Sequence, residues 1–288
     1  MSNNFNHIPV LLNESIEYLN IKDNGTYVDC TLGGGSHTEA IVGQGVRVFA
    51  FDLDKDAINA AQQKLGQDKN ITYINDNFAN LKKHILEPVD GFLFDLGVSS
   101  HQIDTATRGF SIREDGPLDM RMGQGEKLTA KEIVNSYSHE ALTELFFQFG
   151  QERFSRRIAK KIVIEREREA ILTTHRLKEI IANATPTWKK RETTTRIFQA
   201  LRIAVNNELE SLKNALLDAI ALLKPGGRIV VISYHSLEDR IVKHTFRQSE
   251  LQVLTKRPIQ ASEGETISNP RARSGKLRAA EKKNVTIS

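Results

Sequence analysis

The sequence predicts an α/β fold: a parallel sheet with helices on both faces, interrupted by an inserted all-helical subdomain. Three observations carry this. Four short, almost continuously apolar runs, TYVDC (26–30), VRVFAFD (46–52), ITYIN (71–75) and GFLFDLG (91–97), alternate with helix-like segments in the first hundred residues, the signature of parallel strands covered on both sides. A fifth run, RIVVIS (228–233), comes only 131 residues after Gly97, where a strand–helix–strand unit needs roughly 30. The residues in the gap carry helical periodicity.

Taken in order, the first strand ends in Thr31-Leu32-Gly33-Gly34-Gly35-Ser36-His37. Its glycines allow a tight turn into a helix and close approach of a ligand to backbone. The second strand ends at Asp52, 17 residues past Gly35, near the spacing of an acid that binds a ribose hydroxyl; a cap for the next helix is the other reading. That helix, Lys55 to Leu65, places Ala57, Ile58, Ala61 and Leu65 on one face. The third strand ends in Asn75-Asp76-Asn77-Phe78, where Phe78 either stacks on a base or joins the core. The fourth ends in Asp95-Leu96-Gly97-Val98-Ser99-Ser100. Ligands of parallel sheets bind beyond these carboxyl ends.

The phosphate-cradling GxxxxGK[ST] pattern is absent, and the dinucleotide pattern G-x-G-x-x-G fails because Thr38 stands at its last position. S-adenosyl-L-methionine has no pyrophosphate. It asks only for a glycine loop, an acid for the ribose and a wall for the adenine, and these residues fit it better.

The insertion reads as helices LTAKEIVNSY, HEALTELFFQFG, ERFSRRIAKKIVIERER and HRLKEIIANA. This places a helical subdomain at 105–203, between sheet-domain segments 1–104 and 204–288. Phe154, Ile158 and Ile162 form a core stripe beside a basic stripe of Arg153, Arg157 and Lys161. Between Arg153 and Arg202 there are 14 basic and 5 acidic residues, net +9, together with Trp188 and Lys189-Lys190-Arg191. Interleaved aromatic and basic residues suit RNA, whose bases stack and whose phosphates pair with cations; a solvated basic face is the plainer reading. Beyond the fifth strand, LQVLTKR and KLRAAE are expected to close the sheet as an antiparallel hairpin across a long polar loop, although a disordered basic tail fits the same composition.

The 288 residues are 39% hydrophobic and 26% charged, with a net charge of +4. That total conceals segregation: the helical window carries +9, residues 256–288 carry +5 and the remainder −10. No apolar run approaches the ~18 residues of a membrane span. The single cysteine, Cys30, excludes a disulfide framework and a cysteine-based zinc site. The start of the chain lacks the pattern of a signal peptide, so a cytoplasmic protein is expected, with no metal and no membrane partner.

Longer motifs then narrow the assignment. They are His7-x-Pro9-Val10-Leu11-Leu12-x-Glu14, the glycine loop, Asp95 to Ser100 with Gln102, Arg108-Gly109-Phe110-Ser111, and Pro117-Leu118-Asp119-Met120-Arg121-Met122. Further on come Glu152-Arg153-Phe154, Phe198 to Ile203, His235 to Arg240, and Asn269 to Ser274. In this series the chain resembles, nearly end to end, the ribosomal RNA small subunit methyltransferase H family. Those enzymes use S-adenosylmethionine to methylate the N4 amine of one decoding-region cytidine in bacterial 16S rRNA.

The resemblance implies a Rossmann-like class I methyltransferase sheet with an inserted helical substrate domain. It implies cofactor contacts from Gly33, Gly34, Gly35, Ser36, His37, Asp52, Phe78, Asp95 and Gln102. Ser36 departs from the family, which usually has another glycine there. The expected partner is 16S rRNA or the small ribosomal subunit, with a monomer or a homodimer left open.

Related amino-methyltransferases set an Asp or Asn and a backbone carbonyl after the fourth strand to accept the amine's hydrogens. Here that place is held by Asp95-Leu96-Gly97, without the usual prolines. Asp95 is therefore the expected catalytic residue, contact with cofactor being its other reading. Arg108, Phe110, Arg121, Arg271 and Arg273 are candidates to hold the flipped nucleotide. For these the alternative is structural, with Phe110 in the core and the arginines paired to Asp115, Asp119 or Glu238. His235 is a candidate at the RNA side or simply a hydrogen-bonded strand-end residue. A dehydrogenase, and an RNA-binding assembly factor with a vestigial cofactor fold, are the rival readings.

Overall fold

The computed structural model describes residues 8–66 and 68–284; His7 of the first motif lies outside them. The chain divides into two compact units, Met1–Gly97 with Leu209–Ser288, and Val98–Glu208. The expected limits at 104/105 and 203/204 fall several residues inside the helical unit, because the short helix Ser100–Asp104 and the end of a long helix belong to it.

The first unit is built on a seven-stranded sheet. Its strands are β1 (Thr26–Asp29), β2 (Arg47–Phe51), β3 (Ile71–Ile74), β4 (Val89–Asp95), β5 (Leu223–Ser233), β6 (Leu251–Val253) and β7 (Lys276–Lys282). Their order is β3-β2-β1-β4-β5-β7-β6. The first five run parallel, and β7 lies antiparallel between β5 and β6. The order reverses between β1 and β4, so the crevice for a ligand opens beyond their carboxyl ends.

Successive residues point to opposite faces, and both faces are buried. Val28, Phe92 and Ile229 enter one core with Leu212 and Leu216, while Tyr27, Leu93 and Val230 enter the other with Ile41 and Ile58. This is why the runs read as continuously apolar. The expected closing hairpin forms as β6 and β7, and the segment between them folds into a short helix, Glu263–Ser268, and the turn Pro270–Ser274. Strand β5 starts earlier than expected: Lys224-Pro225-Gly226-Gly227 lies within it as an irregularity between the pairs Val89↔Leu223 and Gly91↔Arg228.

Within this unit are also α1 (Leu12–Leu19), α2 (Ser36–Val42), α3 (Lys55–Leu65) and α4 (Leu81–His84). The helical unit holds α5 (Ser100–Asp104), α6 (Ala130–Ser136), α7 (His139–Gln148), α8 (Ser155–Arg166), α9 (Thr174–Ala184) and α10 (Lys190–Asn206). They are followed by α11 (Glu208–Leu222) and, past β5, α12 (Ser236–Gln248). Thr129, Ser138 and Thr173 cap the starts of α6, α7 and α9 with their hydroxyls. The apolar stripes meet in one core around Ile133, Phe146, Ile158, Ile162, Ile181 and Leu201.

Candidate functional site

At the carboxyl end of β1 the chain must turn sharply into α2. Gly33 and Gly35 take positive φ, +49° and +76°, a conformation that costs other residues strain. At Gly35 space is also tight, since a Cβ would come within 3.1 Å of Leu65 and 3.3 Å of Ala61 on α3, side chains that would have to give by a few tenths of an ångström.

The loop is held from beneath by two aspartates. Asp52 Oδ2 accepts the Gly33 amide at 2.8 Å and Oδ1 accepts that of Asp54 at 2.8 Å. Asp54, not Asp52, caps α3. Burial pushes the Asp52 carboxyl up to about 6, against the pull of these two amides. Both its oxygens keep a second lone pair for a ligand hydroxyl. Asp29, fully buried, accepts from the Thr38 hydroxyl at 2.7 Å and the Thr31 amide at 3.1 Å.

His37 follows the loop, buried on α2. Burial pulls its ring below the ordinary value against the attraction of Asp29. Its Nδ1 stands 3.7 Å from Asp95 Oδ2, the Val10 backbone also acts on the ring, and its buried Nε2 meets no partner of good hydrogen-bond geometry among the described residues. An orphaned buried polar atom beside a glycine loop is what a bound ligand completes, and the loop residues fit S-adenosylmethionine in that respect. Ser36 Oγ accepts from Lys64, which also pairs with Glu39 at 2.7 Å. The extra hydroxyl is thus held by α3.

Asp95 ends β4. Its amide donates to the Thr31 hydroxyl at 2.6 Å, and its Oδ1 accepts from the Tyr234 hydroxyl at 2.6 Å. Burial, with the Glu238 carboxylate adding to it, pushes Asp95 up to about 7 despite the Tyr234 hydrogen bond. Phe78 lies half-buried and edge-on to Phe94, centroids 5.8 Å apart. It thus serves the core and still exposes part of its ring. The structure therefore brings the Gly33–His37 loop, Asp52, Phe78 and Asp95 to one end of one sheet.

The sequence marks Thr31 and Tyr234 only as strand-end residues and gives no role to them or to Asp29. A charged residue inside the apolar run TYVDC is the one signal for Asp29. Gln102 belongs to the helical unit, where Ser99 and Gln102 form the capping box of α5.

The candidate RNA residues divide by environment. Arg108 is buried and donates to the carbonyls of Arg121 and Met122. Arg121 pairs bidentately with Asp119 and also donates to the carbonyls of Gln124 and Glu126. Phe110 packs on the helical core. All three thus have partners within the helical unit. His235 accepts the Glu238 amide in the capping box that starts α12, the hydrogen-bonded strand-end role.

Arg153 and Arg157 are exposed, whereas Lys161 is half-buried against Glu165, 2.8 Å away. Glu165 also takes Arg176 and Arg168. Trp188 is 77% exposed with the Lys189 ammonium 5.5 Å from its ring centre. Arg273 is exposed and Arg271 half-buried in the turn before β7. No helix among the described residues is long and apolar enough to cross a membrane.

Comparison with known proteins bears on this arrangement. Residues 4–283 match the model of the MraW methylase family. Proteins named Ribosomal RNA small subunit methyltransferase H from Carboxydothermus hydrogenoformans and Halothermothrix orenii are 46% and 45% identical. Each alignment spans 306 positions, 96% of this chain and 98% of the relative. Among solved structures, an rRNA methylase from Streptococcus thermophilus aligns with a TM-score of 0.49 and 14% identity. A methyltransferase from Streptococcus mutans in complex with SAH aligns with 0.49 and 15%. Both alignments cover 96% of this chain and 99% of the other. A family model spanning nearly the whole chain, joined to relatives of almost half identity along their full length, assigns it: the chain belongs to the MraW methylase family.

Proposed function

We propose that the protein transfers the methyl group of S-adenosylmethionine to the exocyclic N4 amine of one cytidine in the decoding region of 16S rRNA. The observation that carries the reading is Asp95, a carboxylate fixed at the end of β4 beside the glycine loop. It stands in a chain whose relatives are named as methyltransferases of small-subunit ribosomal RNA. When bound, S-adenosylmethionine supplies an electrophilic methyl group on a positively charged sulfur.

The N4 lone pair of cytosine is conjugated into the ring, so the amine is a poor nucleophile. Asp95 accepts one amine hydrogen, and the carbonyl of Leu96 or Gly97 accepts the other, which directs the lone pair at the methyl group. Catalysis is then mostly positioning for in-line transfer. Asp95, as carboxylate, also stands ready to receive the proton the amine loses. Burial lowers His37, which favours its uncharged form beside Asp95. The partial burial of Asp95 favours a step in which charge is lost from sulfur. The base must leave its stack to arrive, and the exposed Arg153, Arg157 and Trp188 of the helical unit supply phosphate and stacking contacts for the surrounding RNA.

Incubation of small ribosomal subunits with labelled S-adenosylmethionine, followed by nucleoside analysis, is expected to yield N4-methylcytidine at one site. Label in another nucleoside, or none, defeats the reading. Arg153→Gln with Arg157→Gln is expected to weaken RNA binding and lower the slope of log K against log salt by roughly 1.4, about 0.7 for each phosphate left unpaired. Lys161→Gln is expected to change it less, since Lys161 is already paired. S-adenosylhomocysteine affinity should stay constant in both variants. An unchanged slope in the double variant returns Arg153 and Arg157 to a solvated face.

A further inference from the structure

Tyr234 follows β5 and meets Asp95 from a sequence distance of 139 residues, its hydroxyl 2.6 Å from Oδ1. Its placement is over-determined. The Tyr234 amide donates to Glu238 Oε2 at 2.8 Å. The ring lies over Gly97, where an added Cβ would come within 3.3 Å of it. The Asp95 amide is tied to Thr31, so neither backbone nor carboxyl can rotate without breaking a hydrogen bond.

We propose that Tyr234 is a positioning residue for the reaction, occupying Oδ1 of Asp95 so that Oδ2 is the oxygen presented to the substrate amine. This rests on the reading of Asp95 as the amine's acceptor. Four groups face or act on the Asp95 carboxyl: Tyr234 after β5, His37 on α2, Glu238 on α12 and Asp29 on β1. Burial raises Asp95, Glu238 adds to the rise, and burial lowers His37. Among these, Tyr234 is the group that favours the carboxylate. Burial and the neighbouring Asp95 push the Tyr234 phenol well above its ordinary value, so it remains a donor throughout the working range. A deprotonated Asp95 can accept the amine hydrogen on Oδ2, whereas a protonated one has an acid proton competing for the same place.

The test reads Asp95 directly in the whole protein. The ¹³C carboxyl resonance of Asp95, assigned with Asp95→Asn, is titrated in the parent and in Tyr234→Phe. The midpoint is expected to rise by roughly one pH unit. The acidic limb of kcat/KM should move with it, giving about a tenfold loss at pH 6 and rates within about twofold at pH 9. Site-specific replacement of Tyr234 by 3-fluorotyrosine, which keeps the ring and strengthens the donor, is expected to move the midpoint down; it also serves if Tyr234→Phe does not fold. A midpoint unmoved in both variants, or a rate loss equal at every pH, overturns the proposal. The titration needs no substrate, so a failed N4 assignment would leave its outcome intact and separately readable.

Discussion

Replacing Asp95 by Asn is expected to lower turnover on small ribosomal subunits by roughly 10²–10³-fold at saturating S-adenosylmethionine. The side chain stays the same size and can still accept from Tyr234 on its carbonyl oxygen. What changes is Oδ2, which becomes an amide nitrogen that donates where the substrate amine also donates. Calorimetry with S-adenosylhomocysteine separates the two roles open to Asp95. An affinity within a fewfold of the parent together with lost turnover makes Asp95 the amine's acceptor. Weakened affinity with near-normal turnover at saturation makes it chiefly a cofactor contact, and removes the catalytic role.

The same substitution has a stability signature with a definite sign. The Asp95 carboxyl is raised from 3.8 to about 7 in the folded chain. A group of raised acid pKa favours the fold when protonated, so stability falls as pH rises from the unfolded value near 4 through 7. Asp95→Asn is therefore expected to raise the thermal midpoint at pH 8, by a margin that shrinks as pH is lowered towards 4. The full effect is on the order of a few kcal/mol. Activity in the parent runs the other way, increasing through pH 7 as the carboxylate forms, and that limb should vanish in the variant. A site that destabilises its own fold in its active protonation state is one held for function.

How far such a site can be read from sequence depends on sequence distance. Strand ends are legible because β1, β2, β3 and β4 are buried on both faces and read as apolar runs, and each stops where polar residues begin. That pattern alone groups Gly33, Asp52, Phe78 and Asp95 at one end of the sheet. The Tyr234–Asp95 hydrogen bond joins residues 139 apart, and nothing local in Ser233-Tyr234-His235 distinguishes a donor to β4 from a surface tyrosine.

Helix α10 shows a different obstacle. It buries Thr193, Thr194, Ile197, Phe198, Ala200, Leu201 and Ile203, too much of its circumference for a clean apolar stripe, and it opens on basic residues and three threonines. The arginines show a third. Arg108 and Arg153 look alike in sequence, yet one is spent on backbone carbonyls inside the helical unit and the other is exposed. Burial, not residue type, decides which positive charge is available to a phosphate.

Asp52→Ala is expected to weaken S-adenosylhomocysteine binding by roughly 10- to 100-fold, the range for losing one or two hydrogen bonds to a charged group. Two causes are mixed in that number. One is the loosening of the loop when the Gly33 and Asp54 amides lose their acceptor; the other is the loss of a hydrogen bond to the ribose. A cycle with the 2′-deoxy analogue of S-adenosylhomocysteine separates them. If Asp52 touches the ribose, the parent prefers the hydroxyl-bearing ligand and Asp52→Ala does not. If Asp52 only clamps the loop, the parent and the variant discriminate equally, and the ribose role is lost. Because burial raises the Asp52 carboxyl to about 6, binding that relies on its carboxylate tightens as pH climbs through 6. That dependence should disappear in Asp52→Ala, while RNA affinity, which we propose the exposed cations of the helical unit carry, stays unchanged. A pH-independent parent would mean that the carboxylate's charge is spent wholly on the Gly33 and Asp54 amides.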